Sequence, residues 1–457
     1  MCSAAGCSSD ADRMRTHVAY GRGRLELRLP PHACELRTRP VEALARPAEA
    51  LAEALRNPIG CPPLRQLAAG RRHACIVVSD ITRPVPYRVL LPPLLAALEG
   101  AVERVTLLVA TGTHRASTPA EKLEMFGPEV VARYPIEDHD SRDPSQLVAL
   151  ERRPSSGTRV WLNRLYLEAD LRILTGLVEP HFMAGYSGGR KAICPGLADL
   201  RTIQQLHGPA FLEHPRAAGG ILEDNPCHRE AREIAHIAGA DFTVNVALDL
   251  QRRIVGLFAG ELDAAFDAAV AKVDSFCRAA APAPADIVVT SGGGYPLDKT
   301  FYQAVKGMVA ALPVVRPGGA ILLAAECSEG IGNREYAELL FRYDGRHADF
   351  LRDIAARDEV LQDQWELEEQ CKVLATVGVE GLVACCGGIE RGTLRRLSVT
   401  PAADLCGEAD PQRQLQGALD ALLRRRPAAR VAALPEGPYI LAEVDSREVT
   451  RRDSRAR

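Results

Sequence analysis

The sequence predicts an α/β protein with two domains, each built on a parallel or mixed sheet. Short apolar runs rich in β-branched residues alternate with stretches of helical periodicity, which is typical of strands covered on both faces. A chain of 457 residues is long enough for two or three domains. The predicted strands are Ala74–Val78, Arg104–Ala110, Leu171–Thr175, Phe242–Leu248, Ile287–Thr290, Ala320–Ala325 and Val373–Val377.

A Pro/Ala-rich segment, Ala279–Ala285, is the best candidate for a linker. It separates an expected N-terminal α/β domain over residues 18–278 from an expected C-terminal α/β domain over residues 286–445. We expect the active site in a cleft between these two domains, with the second domain closing over the substrate.

Composition excludes several classes of protein. Hydrophobic residues make up 47% of the chain and charged residues 25%, as in ordinary globular proteins, and a net charge of −3 gives no case for a nucleic-acid partner. The best apolar run, Val89–Leu98, is too short for a membrane span. The 13 cysteines include no CxxC pair, so we expect reduced thiols and a cytoplasmic protein. The oligomeric state stays open.

Polar motifs follow four of the predicted strands directly. Because ligands of α/β proteins bind beyond the carboxyl ends of the strands, these motifs are expected to meet in one cleft. The strand ends run into SDITRPVP, TGTHR, EPHFMAGYSGGRK and SGGGYPLD.

The first two motifs contain candidates for binding and proton transfer. Asp80 and Arg83 are suited to orienting polar groups, and Arg83 to holding a carboxylate, although a structural turn with an internal Asp–Arg pair explains them equally well. His114, at the end of the next strand, is well placed for general acid–base chemistry. A lone histidine is more often structural.

The third motif is the densest. Gly188 and Gly189, with Arg190 and Lys191 behind them, are typical of a loop whose backbone N–H groups bind phosphate. Neither GxxxxGK[ST] nor GxGxxG is present, so an ordinary Gly-rich loop remains possible. Only six of the 56 basic residues are lysines, which gives Lys191 some extra claim to a lysine-specific function.

Three further candidates lie on predicted helices. His207 ends a helix 16 residues after Lys191, and it would bind a metal only if other ligands came from elsewhere. Gln303 and Lys306 share a helix face and are suited to a carboxylate, or simply to solvent. Trp365 in DQWELE fits a core as well as a cleft.

Taken together, these motifs resemble the lactate racemase family, whose members use a nickel-pincer nucleotide. The resemblance extends from about Val18 to about Val444, and the ten-residue step from His181 to Lys191 is among its specific features. The strings that carry it, in family order, are SDITRPVP, ATGTHR, HFMAGYSGGRKAICPG with His207, FTVNVALD, GGGYPLD, YQAVKGM and DQW.

The resemblance implies a racemase or epimerase that inverts C2 of a 2-hydroxy acid by reversible hydride transfer to the cofactor. Removal of a hydride is easier than removal of a proton beside a carboxylate, provided that a base takes the hydroxyl proton. The implied roles are catalysis for His114 and His181, covalent attachment of the cofactor for Lys191, nickel binding for His207, contacts with the cofactor for Asp80, Gly188, Gly189, Tyr302 and Trp365, and substrate binding for Arg83, Gln303 and Lys306.

The resemblance leaves the substrate open. Thr113, Met183 and Tyr186 stand where phenylalanine is common in close lactate racemases, so a larger sugar acid epimerised at C2 competes with lactate. The other alternative is a nucleotide- or phosphate-binding protein without redox chemistry. If the family role holds, enzymes that build the cofactor are necessary partners.

Overall fold

The computed structural model describes residues 13–357 and 359–445. The strands are β1 Met14–Tyr20, β2 Gly23–Leu29, β3 Cys34–Glu35, β4 His73–Ser79, β5 Arg104–Ala110, β6 Ile136–Asp138, β7 Leu147–Ala149, β8 Trp161–Asn163, β9 Leu171–Leu177, β10 Pro180–His181, β11 Gly185–Tyr186, β12 Phe242–Leu248, β13 Ile254–Gly260, β14 Arg278–Ala281, β15 Ala285–Ser291, β16 Val315–Ala325, β17 Leu382–Cys386, β18 Thr400–Pro401, β19 Val431–Leu434 and β20 Leu441–Val444. The helices are α1 Pro47–Arg56, α2 Leu64–Ala68, α3 Tyr87–Leu98, α4 Pro119–Phe126, α5 Pro128–Arg133, α6 Arg164–Glu168, α7 Leu200–Leu206, α8 Pro209–Leu212, α9 Pro226–Ala238, α10 Leu262–Cys277, α11 Phe301–Ala310, α12 Arg334–Arg342, α13 His347–Ala355, α14 Gln364–Gly381, α15 Arg391–Arg395, α16 Ala402–Cys406 and α17 Pro411–Arg425.

The first compact unit covers residues 40–276. Its six-stranded sheet has the order β13-β12-β9-β4-β5-β6, and only β13 runs antiparallel to its neighbour. The apolar strand runs are explained by burial, since every residue of β4 up to Val78 is buried. Helices α1 and α3 pack with this sheet in one apolar core.

The second compact unit combines residues 13–39 with the described residues from 277 onward. Its main sheet is parallel throughout, in the order β18-β17-β16-β15-β19-β3. Side chains alternate across β15: Ile287 and Val289 enter one core and Val288 the other, which is the period-two pattern of a sheet covered on both faces.

The mixed α/β fold is thus as predicted, and six of the seven expected strands are present. The exception is Val373–Val377, which lies within α14; this short apolar run is one buried stripe of a long helix, which periodicity does not distinguish from a strand. The segment Ala279–Ala285 is not a free linker, because Arg278–Ala281 pairs in parallel with β20.

The compact units do not follow chain order, and so they differ from the expected domains 18–278 and 286–445. Strand β3 pairs with β19 at the edge of the second sheet, and the β1–β2 hairpin packs on the same unit. Two-residue strands such as β3 carry almost no periodicity, so their partner cannot be deduced from sequence.

Side-chain caps define the starts of the two helices that carry site candidates. Asp199 accepts a hydrogen bond from the backbone N–H of Thr202 at 3.1 Å and begins α7, whose C-cap residue is His207. Thr300 accepts one from the N–H of Gln303 at 3.3 Å and begins α11. Within the described part of the chain, no helix combines the length and the apolar character that crossing a bilayer requires.

Burial predicts which leucines stabilise the first unit. Leu107 in β5 is fully buried, whereas Leu123 in α4 is 45% exposed. We expect Leu107→Ala to lower the free energy of unfolding by about 2–5 kcal/mol through lost contacts and a cavity. The matched control Leu123→Ala should stay within about 0.5 kcal/mol of the parent. Denaturant unfolding of both variants measures this, and equal effects would contradict the assigned core.

Candidate active site

The central strand of the first sheet determines where the candidate residues meet. Strand β4 pairs in parallel with β5 on one side and with β9 on the other, and the chain order of the strands reverses at this point. Such a switch point leaves a crevice beyond the carboxyl ends of the strands. Asp80 and Arg83 follow β4, His114 follows β5, and His181 follows β9, so the predicted convergence of three motifs is confirmed within this unit.

Asp80 and His114 form a hydrogen-bonded pair. The Nδ1 atom of His114 lies 2.6 Å from Oδ2 of Asp80, while the hydroxyl and the N–H of Thr82 donate to Oδ1 at 2.6 and 3.1 Å. Burial favours the neutral carboxyl, but His114, Thr82 and Arg83 outweigh it and lower the pKa of Asp80 to about 2. Both oxygens of Asp80 are thus used by the chain, which makes this residue a support for His114.

Arg83 is only partly paired. Its Nε lies 3.9 Å from Oε1 of Glu179, at the limit of an ion pair, and both side chains are about one-fifth exposed. Its Nη1 is buried and makes no hydrogen bond within the described residues. A guanidinium with an unused donor next to a crevice is suited to a ligand carboxylate.

His181 lies at the tip of the short β10–β11 hairpin. Its Nδ1 accepts hydrogen bonds from the backbone N–H groups of Met183 and Ala184, at 3.3 and 3.2 Å. Gly185 permits this turn, because its φ is +76° and a Cβ there would lie 2.2 Å from the carbonyl oxygen of Ile221. The hairpin therefore presents His181 in one orientation.

The expected phosphate nest is wrong. The N–H of Gly189 donates to Oδ1 of Asn245 at 3.0 Å, and the N–H of Lys191 donates to the carbonyl of Gly188 at 3.1 Å, so these donors are already used. Packing alone requires glycine at both positions: a Cβ on Gly188 would lie 2.7 Å from Val178, and one on Gly189 would lie 2.9 Å from Phe266.

Two buried residues that hold this loop were missed as site residues. Asn245 in β12 is fully buried and binds Gly189 as described. Arg190 is 2% exposed; its Nη2 donates to the carbonyls of Ala184 and Tyr186, both at 2.9 Å, and its guanidinium lies 4.3 Å from the ring centroid of Phe266. A polar Asn inside the apolar run FTVNVAL was the available signal for the first.

Lys191 and His207 are brought together and are electrostatically linked. Desolvation, followed by the positive charges of Arg190 and Arg83, lowers the pKa of Lys191 to about 7. Desolvation and then the charge of Lys191 lower the pKa of His207 to about 4. The Nδ1 of His207 donates to the carbonyl of Ile203 at 2.7 Å, so the neutral ring keeps its lone pair on Nε2. No three His, Cys, Asp or Glu side chains among the described residues are grouped as ligands of one metal ion.

The remaining candidates lie in the second unit and form two contacting pairs. The Nζ of Lys306 donates to Oε1 of Gln303 one helical turn away on α11. The indole N–H of Trp365 donates to the hydroxyl of Tyr302 at 2.7 Å, and Trp365 is buried. The expected common helix face of Gln303 and Lys306 is confirmed, and their roles stay predictions.

Comparison with known proteins decides the family. The model of the lactate racemase N-terminal domain matches residues 20–220, and that of the lactate racemase C-terminal domain matches residues 280–422. The chain belongs to the lactate racemase family. It is therefore an enzyme of the isomerase class.

Curated family members agree with this assignment. Lactate racemase of Thermoanaerobacterium thermosaccharolyticum is 37% identical over 400 residues, which cover 86% of this chain and 92% of the relative. Lactate racemase of Lactiplantibacillus plantarum is 37% identical over 333 residues, covering 71% of this chain and 77% of the relative.

Solved structures agree as well. The lactate racemase apoprotein from T. thermosaccharolyticum superposes with a TM-score of 0.84 at 33% identity, covering 94% of this chain and all of that structure. A Thermotoga maritima protein with a TM-score of 0.68 and 17% identity, covering 87% of this chain and 98% of its own, shares the fold.

The lowered pKa of Lys191 predicts how stability depends on pH. An ordinary lysine has a pKa near 10.5, so between about pH 7 and 10 the unfolded chain binds a proton at this position that the folded chain has lost. We expect the stability of the unmodified parent, relative to Lys191→Met, to rise by about 1 kcal/mol per pH unit in this range. Denaturant unfolding at several pH values measures it.

Lys272→Met, on α10, serves as the matched control for the loss of a lysine elsewhere in the same unit. A difference between the parent and Lys191→Met that stays constant with pH would show that this amine is protonated in the folded chain.

Proposed function

We propose that the chain racemises lactate, or a closely related 2-hydroxy acid, with a nickel-pincer nucleotide joined to Lys191. Family membership and the names of both curated relatives support the reaction. The observation that carries the proposal is that the His114–Asp80 pair, Arg83, Lys191 and His207 interact in one unit beyond the end of β4.

The residues present fit such a cofactor. A lysine must be a neutral amine to form a thioamide, and a pKa of about 7 makes Lys191 largely neutral under ordinary conditions. A metal-binding histidine must be neutral with one ring nitrogen free of its proton, which the Nδ1–Ile203 hydrogen bond of His207 provides on Nε2. When bound, the cofactor would supply a reversible acceptor for the hydride at C2 of the substrate.

The chain's own residues account for binding and proton transfer. Arg83 would hold the substrate carboxylate through its unused Nη1, and Gln303 and Lys306 would assist. His114 would take the hydroxyl proton on Nε2, since its Nδ1 already faces Asp80, and the Asp80 carboxylate would stabilise the resulting imidazolium. His181 would be the second member of the acid–base pair. Gly188, Gly189, Tyr302 and Trp365 stay proposed cofactor contacts.

Lactate is favoured over a larger sugar acid by the burial of two substituted positions. Met183 is 2% exposed and Tyr186 is 1% exposed, and the Tyr186 hydroxyl donates to Asp274. Both side chains are therefore used in packing, and of the three departures from the family pattern only Thr113 stays partly accessible.

Attachment of the cofactor gives the first test. The chain, produced together with the cofactor-building enzymes and nickel, should carry an adduct on Lys191 and about one nickel per chain, because only a primary amine at this place forms the thioamide. Intact mass, peptide mapping and metal analysis measure it. Lys191→Arg should carry no adduct, whereas Lys272→Met should be modified like the parent. An adduct on Lys191→Arg would refute the covalent assignment.

Turnover gives the second test. The loaded enzyme should interconvert the two lactate enantiomers, followed by chiral chromatography. Arg83→Gln removes a charged hydrogen bond worth about 1.5–3 kcal/mol, so kcat/KM should fall roughly 10- to 100-fold.

The control for Arg83→Gln is Arg88→Gln, an exposed change that removes bonds to the carbonyls of Leu123 and Glu124 and should leave kcat/KM unchanged. Loaded enzyme that is inactive on lactate but inverts C2 of a sugar acid would transfer the assignment to that substrate. Inactivity on every 2-hydroxy acid, with the adduct present, would refute the proposed reaction.

A further inference from the structure

The hydrogen-bond partners of His114 determine where its neutral ring carries the proton. Asp80 is ionised and can only accept hydrogen bonds, and it lies 2.6 Å from Nδ1. The proton of the neutral ring must therefore be on Nδ1, which leaves the lone pair on Nε2. Thr82 keeps the carboxylate in place through its N–H and its hydroxyl, so His114 presents a hydrogen-bond acceptor.

The partners of His181 give the opposite result. Backbone N–H groups can only donate, and two of them, from Met183 and Ala184, point at Nδ1. The lone pair must therefore be on Nδ1 and the proton on Nε2. This is the way in which an enzyme keeps a histidine as a neutral hydrogen-bond donor.

The donors to His181 are themselves held in place. The carbonyl of Met183 accepts a hydrogen bond from Nδ2 of Asn225 at 2.9 Å, and the carbonyl of Ala184 accepts one from Nη2 of the buried Arg190 at 2.9 Å. Because both peptide groups flanking these N–H donors are anchored by buried side chains, the loop cannot easily turn the donors away from His181.

We propose that the chain holds His114 and His181 in opposite neutral tautomers, so that His114 offers a proton acceptor on Nε2 and His181 offers a proton donor on Nε2. The two histidines are then not interchangeable. Asp80 is the positioning residue for the first, and the Met183–Ala184 backbone, anchored by Asn225 and Arg190, is the positioning element for the second.

The consequence for turnover rests on the proposed racemase function. An enantiomer whose hydroxyl lies at His114 finds a base at once, whereas the other accepts a hydrogen bond from His181 and waits for that ring to change its tautomer. Enantiomers interconvert with an equilibrium constant of one, so kcat/KM is equal in the two directions. We therefore expect kcat and KM to differ between the enantiomers by a common factor.

Nitrogen-15 NMR of the histidine rings tests the tautomers without cofactor or turnover. Two-bond nitrogen–proton correlations on the full chain, at a pH where each ring is neutral, should show Nδ1–H for His114 and Nε2–H for His181. Signals are assigned with His114→Gln and His181→Gln.

The chain supplies its own standards for this measurement. His207 donates from Nδ1 to the carbonyl of Ile203, and His139 lies with Nε2 at 2.9 Å from the carbonyl of Ala198. These rings mark the two patterns. Equal tautomers for His114 and His181 would overturn the inference.

Asp80→Asn provides the decisive variant. The side-chain amide that this substitution introduces can donate its N–H₂ to Nδ1 of His114. The His114 ring should therefore change to the Nε2–H pattern while His181 stays as it is, and in the loaded enzyme kcat should fall on the order of 10³-fold or more. An unchanged His114 pattern in the folded variant would refute the role of Asp80. If the variant does not fold, the parent spectrum still decides between opposite and equal tautomers.

The two levels of the argument fail separately. Opposite tautomers in a loaded chain that racemises no 2-hydroxy acid would leave the inference standing and remove the proposed function. Equal tautomers in an active racemase would do the reverse.

Discussion

The parallel pairing of β4 with both β5 and β9 is the constraint on which the candidate site depends. Parallel neighbours end at the same edge of a sheet, so three segments that are far apart in sequence deliver Asp80, His114 and His181 to one place. The pairing is stabilised by the burial of almost every side chain of β4, and no polar residue of the site contributes to it. The apolar strands therefore form the scaffold, and the loops beyond them carry the chemistry.

The site concentrates positive charge in poorly solvated surroundings. Arg83 and Arg190 lie close enough to Lys191 to lower its pKa, and Lys191 in turn lowers the pKa of His207. Among these four residues only the arginines are expected to stay charged near neutral pH, because a guanidinium loses its proton least readily. A neutral amine and a neutral imidazole next to two fixed cations suit covalent attachment, metal binding and the capture of an anionic substrate.

Sequence motifs predicted much of this arrangement because strand ends are local features. The apolar runs Arg104–Ala110 and Phe242–Leu248 coincide with β5 and β12, and the motifs that follow β4, β5 and β9 are those that form the site. Two expectations were wrong for one reason: each depended on a partner distant in sequence. Val373–Val377 is part of a helix stripe, and the N–H of Gly189 is taken by Asn245, which is 56 residues away.

The sequence by itself determined the α/β class, the positions of the main strands and, through motif resemblance, the family and most candidate residues. It could do so because strand periodicity, helix caps and motif spacing are written in neighbouring residues. Only the tertiary structure decided that β1–β3 belong with the carboxyl-terminal sheet, that Arg190 anchors the His181 hairpin, and that His114 and His181 face different hydrogen-bond partners. Those outcomes depend on which donor meets which acceptor in space, and a histidine carries the same letter in either tautomer.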